Sequence, residues 1–105
     1  MEDDGGDAYT LAMWRVKEGK EEEFIAAWKG ELAEYFLSLP NPPGTGRLVR
    51  SVEDPQLFYS FGPWRNLADI QQMRSDPRTP EMIDKLVALC EEAKPGTFQL
   101  VATAP

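Results

Sequence analysis

The sequence contains no histidine. That removes the side chain most used as a general base near neutral pH, the base of a hydrolytic triad, the commonest zinc ligand and the usual haem ligand. Cysteine is almost absent: Cys90 stands alone, so no internal disulfide forms, which fits a reducing compartment. No apolar run approaches the roughly 18 residues that a membrane helix needs. Basic residues are scarce as well. Eleven Lys and Arg face eighteen Asp and Glu, for a net charge of −7 over 105 residues. Nucleic-acid affinity draws mostly on Lys and Arg neutralising phosphates, and docking on anionic lipid needs the same sign. Neither nucleic acid nor membrane is therefore an expected partner. The opening Met1-Glu2-Asp3-Asp4 carries no signal-peptide pattern, and Asp3 and Asp4 lack metal-loop spacing. The expected location is cytoplasmic, and the expected metal complement is none.

What is present fits one domain. Residues 1–7 (MEDDGGD) are acidic and glycine-rich and read as a disordered lead-in; residues 8–105 form the domain. Residues 9–16 (YTLAMWRV) predict a strand whose two alternating sets are both largely apolar, Leu11 and Met13 on one, Ala12, Trp14 and Val16 on the other. Such a strand is covered on both faces. Lys17-Glu18-Gly19 predicts a turn and residues 20–37 a helix, opened by Glu21, Glu22 and Glu23 where the helix dipole favours negative charge. Phe24, Ala27, Trp28, Glu31, Leu32, Tyr35 and Phe36 give it a stripe at three- and four-residue steps, with Gly30 a weak point. The Pro- and Gly-rich stretch 40–44 ends the helix.

Residues 46–52 and 57–61 predict two strands of a hairpin around Asp54-Pro55, the second stopped by Gly62-Pro63. A short helix follows, with Asn66 as N-cap and Asp69 echoing a capping box. Ser75-Asp76-Pro77 breaks it. Thr79, as N-cap, and Pro80 restart a helix with a stripe of Ile83, Leu86, Val87 and Cys90, reaching about residue 92. Residues 97–103 predict the last strand. The order β-α-β-β-α-β reads as a ferredoxin-like α+β domain: a four-stranded antiparallel sheet with its helices on one face. The other face is left apolar and bare, which predicts a symmetric dimer that joins two sheets.

Two stretches resemble the antibiotic biosynthesis monooxygenase family of dimeric α+β barrels. One is the first strand leading into Val16-Lys17-Glu18-Gly19-Lys20-Glu21-Glu22-Glu23-Phe24 and on to Trp28. The other is Phe61-Gly62-Pro63-Trp64-Arg65-Asn66-Leu67-Ala68-Asp69-Ile70, followed by Arg74-Ser75-Asp76-Pro77. The resemblance spans roughly residues 8–103. It implies a homodimer with a shared barrel, and a pocket between sheet and helices in each subunit. It also implies oxidation of a planar aromatic compound, an anthrone, quinol or polyketide-like molecule, by O2 with no cofactor. A haem-degrading branch of the family uses a strand Asn, a Trp and a helix His. Here those positions hold Met13, Trp64 and no histidine, so haem degradation in that mode is rejected. A polyketide-type cyclase or isomerase, and a non-catalytic binding protein of the same fold, are the alternatives.

The candidate catalytic residues are Trp64 and Asn66. Trp64 either stacks on a planar substrate or plugs the core; Asn66 either hydrogen-bonds a substrate oxygen or caps its helix. Candidate substrate-binding residues are Met13, Trp14, Arg50, Tyr59, Phe61 and Met73. Met13 and Trp14 lie on opposite faces of one strand, so one meets the pocket and the other the dimer barrel. Arg50 can hold a phenolate or carboxylate, or form a salt bridge. Tyr59 and Tyr35 offer phenols to a carbonyl, or spend them on ordinary partners.

Overall fold

Strand β1 (Ala8–Val16) is the centre on which the rest is built, and its alternation is physical. Ala8, Ala12, Trp14 and Val16 are buried, whereas Tyr9, Leu11 and Met13 on the other face are only half-buried. In the computed structural model, which describes residues 6–105, β1 pairs antiparallel with β3 (Leu57–Trp64) on one side and with β4 (Cys90–Gln99) on the other. β2 (Arg47–Arg50) completes the sheet in the order β2-β3-β1-β4. The helices are α1 (Glu21–Ala27), a π-helical turn (Trp28–Leu32), α2 (Ala33–Leu37), α3 (Leu67–Ser75) and α4 (Arg78–Val87). The fold is therefore the expected ferredoxin-like α+β arrangement. Among the described residues, no helix is long and apolar enough to cross a membrane.

Aromatic side chains fill the layer between sheet and helices. Trp14 and Phe58 flank Phe24, with ring centroids 5.4 and 5.3 Å away. Phe36 meets Trp64 edge-on at 5.5 Å. Such tilted contacts suit the quadrupoles of the rings. Gly19, at φ 86°, takes the left-handed turn between β1 and α1 that a side chain disfavours.

Several boundaries differ from expectation, each for a definable reason. The helix over 20–37 is interrupted by the π-helical turn, and Gly30, its expected weak point, lies inside that turn. Glu31 leaves the expected apolar stripe and pairs at the surface with Lys85. β2 is shorter than residues 46–52. β3 runs through Gly62-Pro63 instead of stopping there. Pro63 lies past the end of β2, which stops at Arg47 opposite Phe61, so its missing N–H breaks no ladder bond, and its carbonyl accepts from Gly44 N–H at 2.8 Å.

The largest correction concerns the end of the chain. α4 stops at Val87, and β4 starts at Cys90, seven residues before the expected strand. Glu91 and Glu92 do not end a helix that reaches about residue 92; with Lys94 they stand on an edge strand, and Pro95 is tolerated there because β4 has a neighbour on one side only. Cys90 pairs with Val16 and is buried; its thiol donates to the Leu86 carbonyl at 3.3 Å, and burial pushes its pKa up to about 11. Thr79 does not cap a helix. It lies within α4, buried, and its hydroxyl donates to the Met73 carbonyl at 2.6 Å. Of the lead-in at 1–7, residues 1–5 lie outside the described residues. Gly6 N–H donates to the Trp64 carbonyl, and the Asp7 carbonyl accepts from Leu100 N–H, so both are tied to the sheet.

Candidate functional site

A cavity of about 510 Å³ lies between the sheet and the helices. β1 and β3 supply one wall through Thr10, Ala12, Trp14, Ser60 and Trp64. The π-helical turn and α2 supply a second through Trp28, Leu32 and Phe36, while Met73, Thr79 and Ile83 close it from α3 and α4. The loop over 43–46 borders it, and the Trp28 ring lies 3.6 Å from where a side chain on Gly46 would begin. Winding a π turn into the helix re-aims its side chains by one position. Here it sets Trp28, Lys29 and Leu32 along the cavity.

Two of the polar groups along this largely apolar space are hydroxyls bonded to tryptophans. Trp64 Nε1–H donates to Thr10 Oγ1 at 3.0 Å, and Trp14 Nε1–H donates to Ser60 Oγ at 3.0 Å. Each hydroxyl thereby accepts from an indole and keeps its own proton, for which no protein acceptor exists among the described residues. Accepting a bond makes a hydroxyl a better donor. Thr79 differs. Its proton goes to Met73, so in its short contact with the Tyr35 hydroxyl it is the acceptor and Tyr35 the donor. The Tyr35 phenol is thus consumed inside the fold. Among the described residues, no group of three His, Cys, Asp or Glu side chains is gathered to hold a metal ion.

The residues singled out from sequence divide between the two faces of the sheet. Trp14, Trp64 and Met73 are buried and line the cavity. Trp64 is 1% exposed in the core and also forms part of the cavity wall. Phe61 borders the cavity, although alternation along β3 puts it on the same face as Tyr59. Met13 and Tyr59 belong to that opposite face and do not line the cavity; Tyr59 is 43% exposed. Arg50 lies outside it too. Its guanidinium stacks 5.4 Å over Phe58 and stands 3.8 Å from Glu22. Asn66 is exposed and is the N-cap of α3, its side chain accepting from Asp69 N–H at 2.9 Å. That cap accounts for it, and it borders no part of the cavity. Asp69 completes no capping box; it takes two bonds from Arg65, at 2.9 and 3.0 Å.

Thr10 and Ser60 escaped the sequence reading, and Trp28 entered it as a helix residue and not as part of a site. Trp28 had a signal, its place in the helical stripe. Ser60 had one in retrospect, a small polar residue alternating with Phe58 and Trp64 on an otherwise apolar face.

The fold is shared with known structures. One is a variant of SnoaB, a cofactor-independent oxygenase from Streptomyces nogalater, with TM-score 0.82 and 18% identity, covering 96% of this chain and 99% of that one. Another is the ActVA-Orf6 monooxygenase of Streptomyces coelicolor in complex with nanaomycin D, with TM-score 0.80 and 13% identity, covering 95% and 92%. A conserved protein from Methanosarcina mazei gives 0.73 and 21%, covering 90% and 92%. At these identities the likeness establishes the fold alone. No curated protein sequence matches the chain. The family model for antibiotic biosynthesis monooxygenases does match, over residues 8–85, and the chain belongs to that family.

Proposed function

We propose that this chain is a cofactor-independent monooxygenase that oxidises a planar aromatic small molecule, of anthrone, quinol or polyketide-like type, with O2 in this cavity, and that it works as a homodimer. The observation that carries the reading is the cavity itself, about 510 Å³ walled by Trp14, Trp28, Phe36 and Trp64. That size lies within the range of small-molecule sites, and flat rings suit flat ligands. The family and the cofactor-independent oxygenase of like fold support the chemistry.

An anthrone needs little apparatus. Loss of a proton gives a carbanion electron-rich enough to reduce O2. A C–O bond then forms at that carbon, and loss of water leaves a carbonyl. One oxygen atom ends in the product and the other in water, so CH2 plus O2 becomes C=O plus H2O. The protein has to hold the ring, keep water out and favour the anion. Thr10 and Ser60 are placed to donate to an oxygen that gains charge as the proton leaves.

The test is turnover of an anthrone with and without O2. Product should form only with O2 and carry one atom of isotope-labelled oxygen. Thr10→Val should lower kcat by about a hundredfold to a thousandfold, the range of a lost donor to developing charge, and Trp64→Phe should weaken binding. Equal product without O2 would instead favour a cyclase or isomerase. Binding without turnover would favour a non-catalytic binding protein.

A further inference from the structure

The chain carries eighteen acidic and eleven basic residues, yet the charge around the cavity has the opposite balance. Among the described residues no Asp or Glu borders it, and Lys29 and Arg74 both do. These two also lack what most cations of this protein have. Among the described residues, seven of the eleven basic side chains sit in an ion pair with a carboxylate. Of the four that do not, Lys17 donates to the Ala88 carbonyl, and Arg47 is a β2 residue that borders no part of the cavity. The remaining two are those at the cavity. Arg74 Nε donates to Thr97 Oγ1 at 3.1 Å, and its terminal amino groups have no protein acceptor among the described residues. The Lys29 ammonium makes no hydrogen bond or ion pair among them.

An acidic chain in which most cations find a carboxylate, but in which the two beside the aromatic cavity have none among the described residues, has a local potential suited to a negative ligand. We propose that the ligand is an aromatic anion. Its flat apolar body lies against the tryptophans, and its carboxylate or ionised phenol meets Arg74, with Lys29 adding positive potential from the π-helical turn. The guanidinium, anchored through Nε, is left with the donors that suit two acceptor lone pairs, while the ammonium acts as a point charge. This rests on the cavity being the ligand site and specifies the charge of what enters. It also bears on the chemistry, because nearby cations favour an ionised substrate.

Three probes separate the possibilities: anthraquinone carboxylate, its uncharged methyl ester, and a hydroxyanthraquinone whose visible absorption reports ionisation. Binding is read by quenching of tryptophan fluorescence. The carboxylate should bind about tenfold more tightly than its ester, and added salt should weaken only the carboxylate. Arg74→Gln and Lys29→Gln should each weaken the carboxylate about threefold, the scale of an exposed ion pair, and leave the ester within a factor of two. Both side chains are exposed, so neither change disturbs the core. If the hydroxyanthraquinone shows its ionised spectrum on binding and loses it in Arg74→Gln, the site also takes phenolates. Equal affinity for carboxylate and ester, or equal losses for both in the variants, would overturn the inference and leave the cavity reading intact. Failure of all three probes to bind would overturn both.

Discussion

Trp14 and Trp64 show how much of the site was legible one residue at a time. Bulk and strand position marked both as residues of a core or a pocket, and they turned out to be both. Their hydrogen-bond partners were not legible, because Ser60 and Thr10 come from other positions of the sheet and are found only once register is known. Trp14 and Ser60 are 46 residues apart in sequence. The pairing has a measurable consequence. Ser60→Ala leaves the Trp14 indole N–H buried without an acceptor. The expected cost is about 1–3 kcal/mol, the scale of a buried polar group stranded by loss of its partner. Urea unfolding should show a lower midpoint at an unchanged slope. The double variant Trp14→Phe with Ser60→Ala removes both partners and should fall short of the sum of the single losses. Strict additivity would mean that the bond contributes nothing.

Elements were read best where periodicity and punctuation agreed, as in β1, the β2–β3 hairpin and the Asn66 cap. They were misread where charge or proline carries two meanings. Glu91, Glu92 and Lys94 fit a solvated helix end as well as a protected sheet edge, and only the pairing of β4 with β1 decides between them. The break between α3 and α4 was read correctly, and its chemistry is testable. Both oxygens of Asp76 accept from Arg78: Oδ1 from the backbone N–H at 2.9 Å and from Nε at 3.1 Å, Oδ2 from the other end of the guanidinium at 2.8 Å. The Arg78 guanidinium, with the backbone N–H second, holds the Asp76 carboxyl down at about 2. A carboxyl depressed in the folded state stabilises above its unfolded pKa, and that contribution is lost as pH falls through the folded value. Wild type should therefore exceed Asp76→Asn in stability near neutral pH. The gap should close between about pH 5 and about pH 2. Unfolding midpoints measured across that window check it, and a gap that stays constant would show that the charge of Asp76 is immaterial.

At the scale of the molecule, the open question is what covers the second face of the sheet. Its amphipathic asymmetry was visible in β1, where both alternating sets are apolar, and the helices cover only one of them. On the uncovered side Val49, Tyr59 and Phe98, from β2, β3 and β4, are 47%, 43% and 51% exposed, with Leu11 and Met13 half-buried between them. An apolar patch that crosses all four strands is unusual for a protein that stays alone. A second copy joined face to face would bury the same residues on both chains, as a two-fold interface requires. Charge opposes this, because each copy carries −7. Apolar burial has to exceed that repulsion, and salt screens the repulsion while leaving the burial intact. The expected result in light scattering is twice the chain mass at micromolar concentration, with dissociation on dilution suppressed by added salt. Tyr59→Glu or Phe98→Glu sets like charges on facing surfaces and should yield monomers. Neither Tyr59 nor Phe98 borders the helix-side cavity, so a monomeric variant that still binds an aromatic probe would show that ligand capture needs only one chain. A wild-type protein that remains monomeric at micromolar concentration in high salt would remove the second copy as the cover for this face.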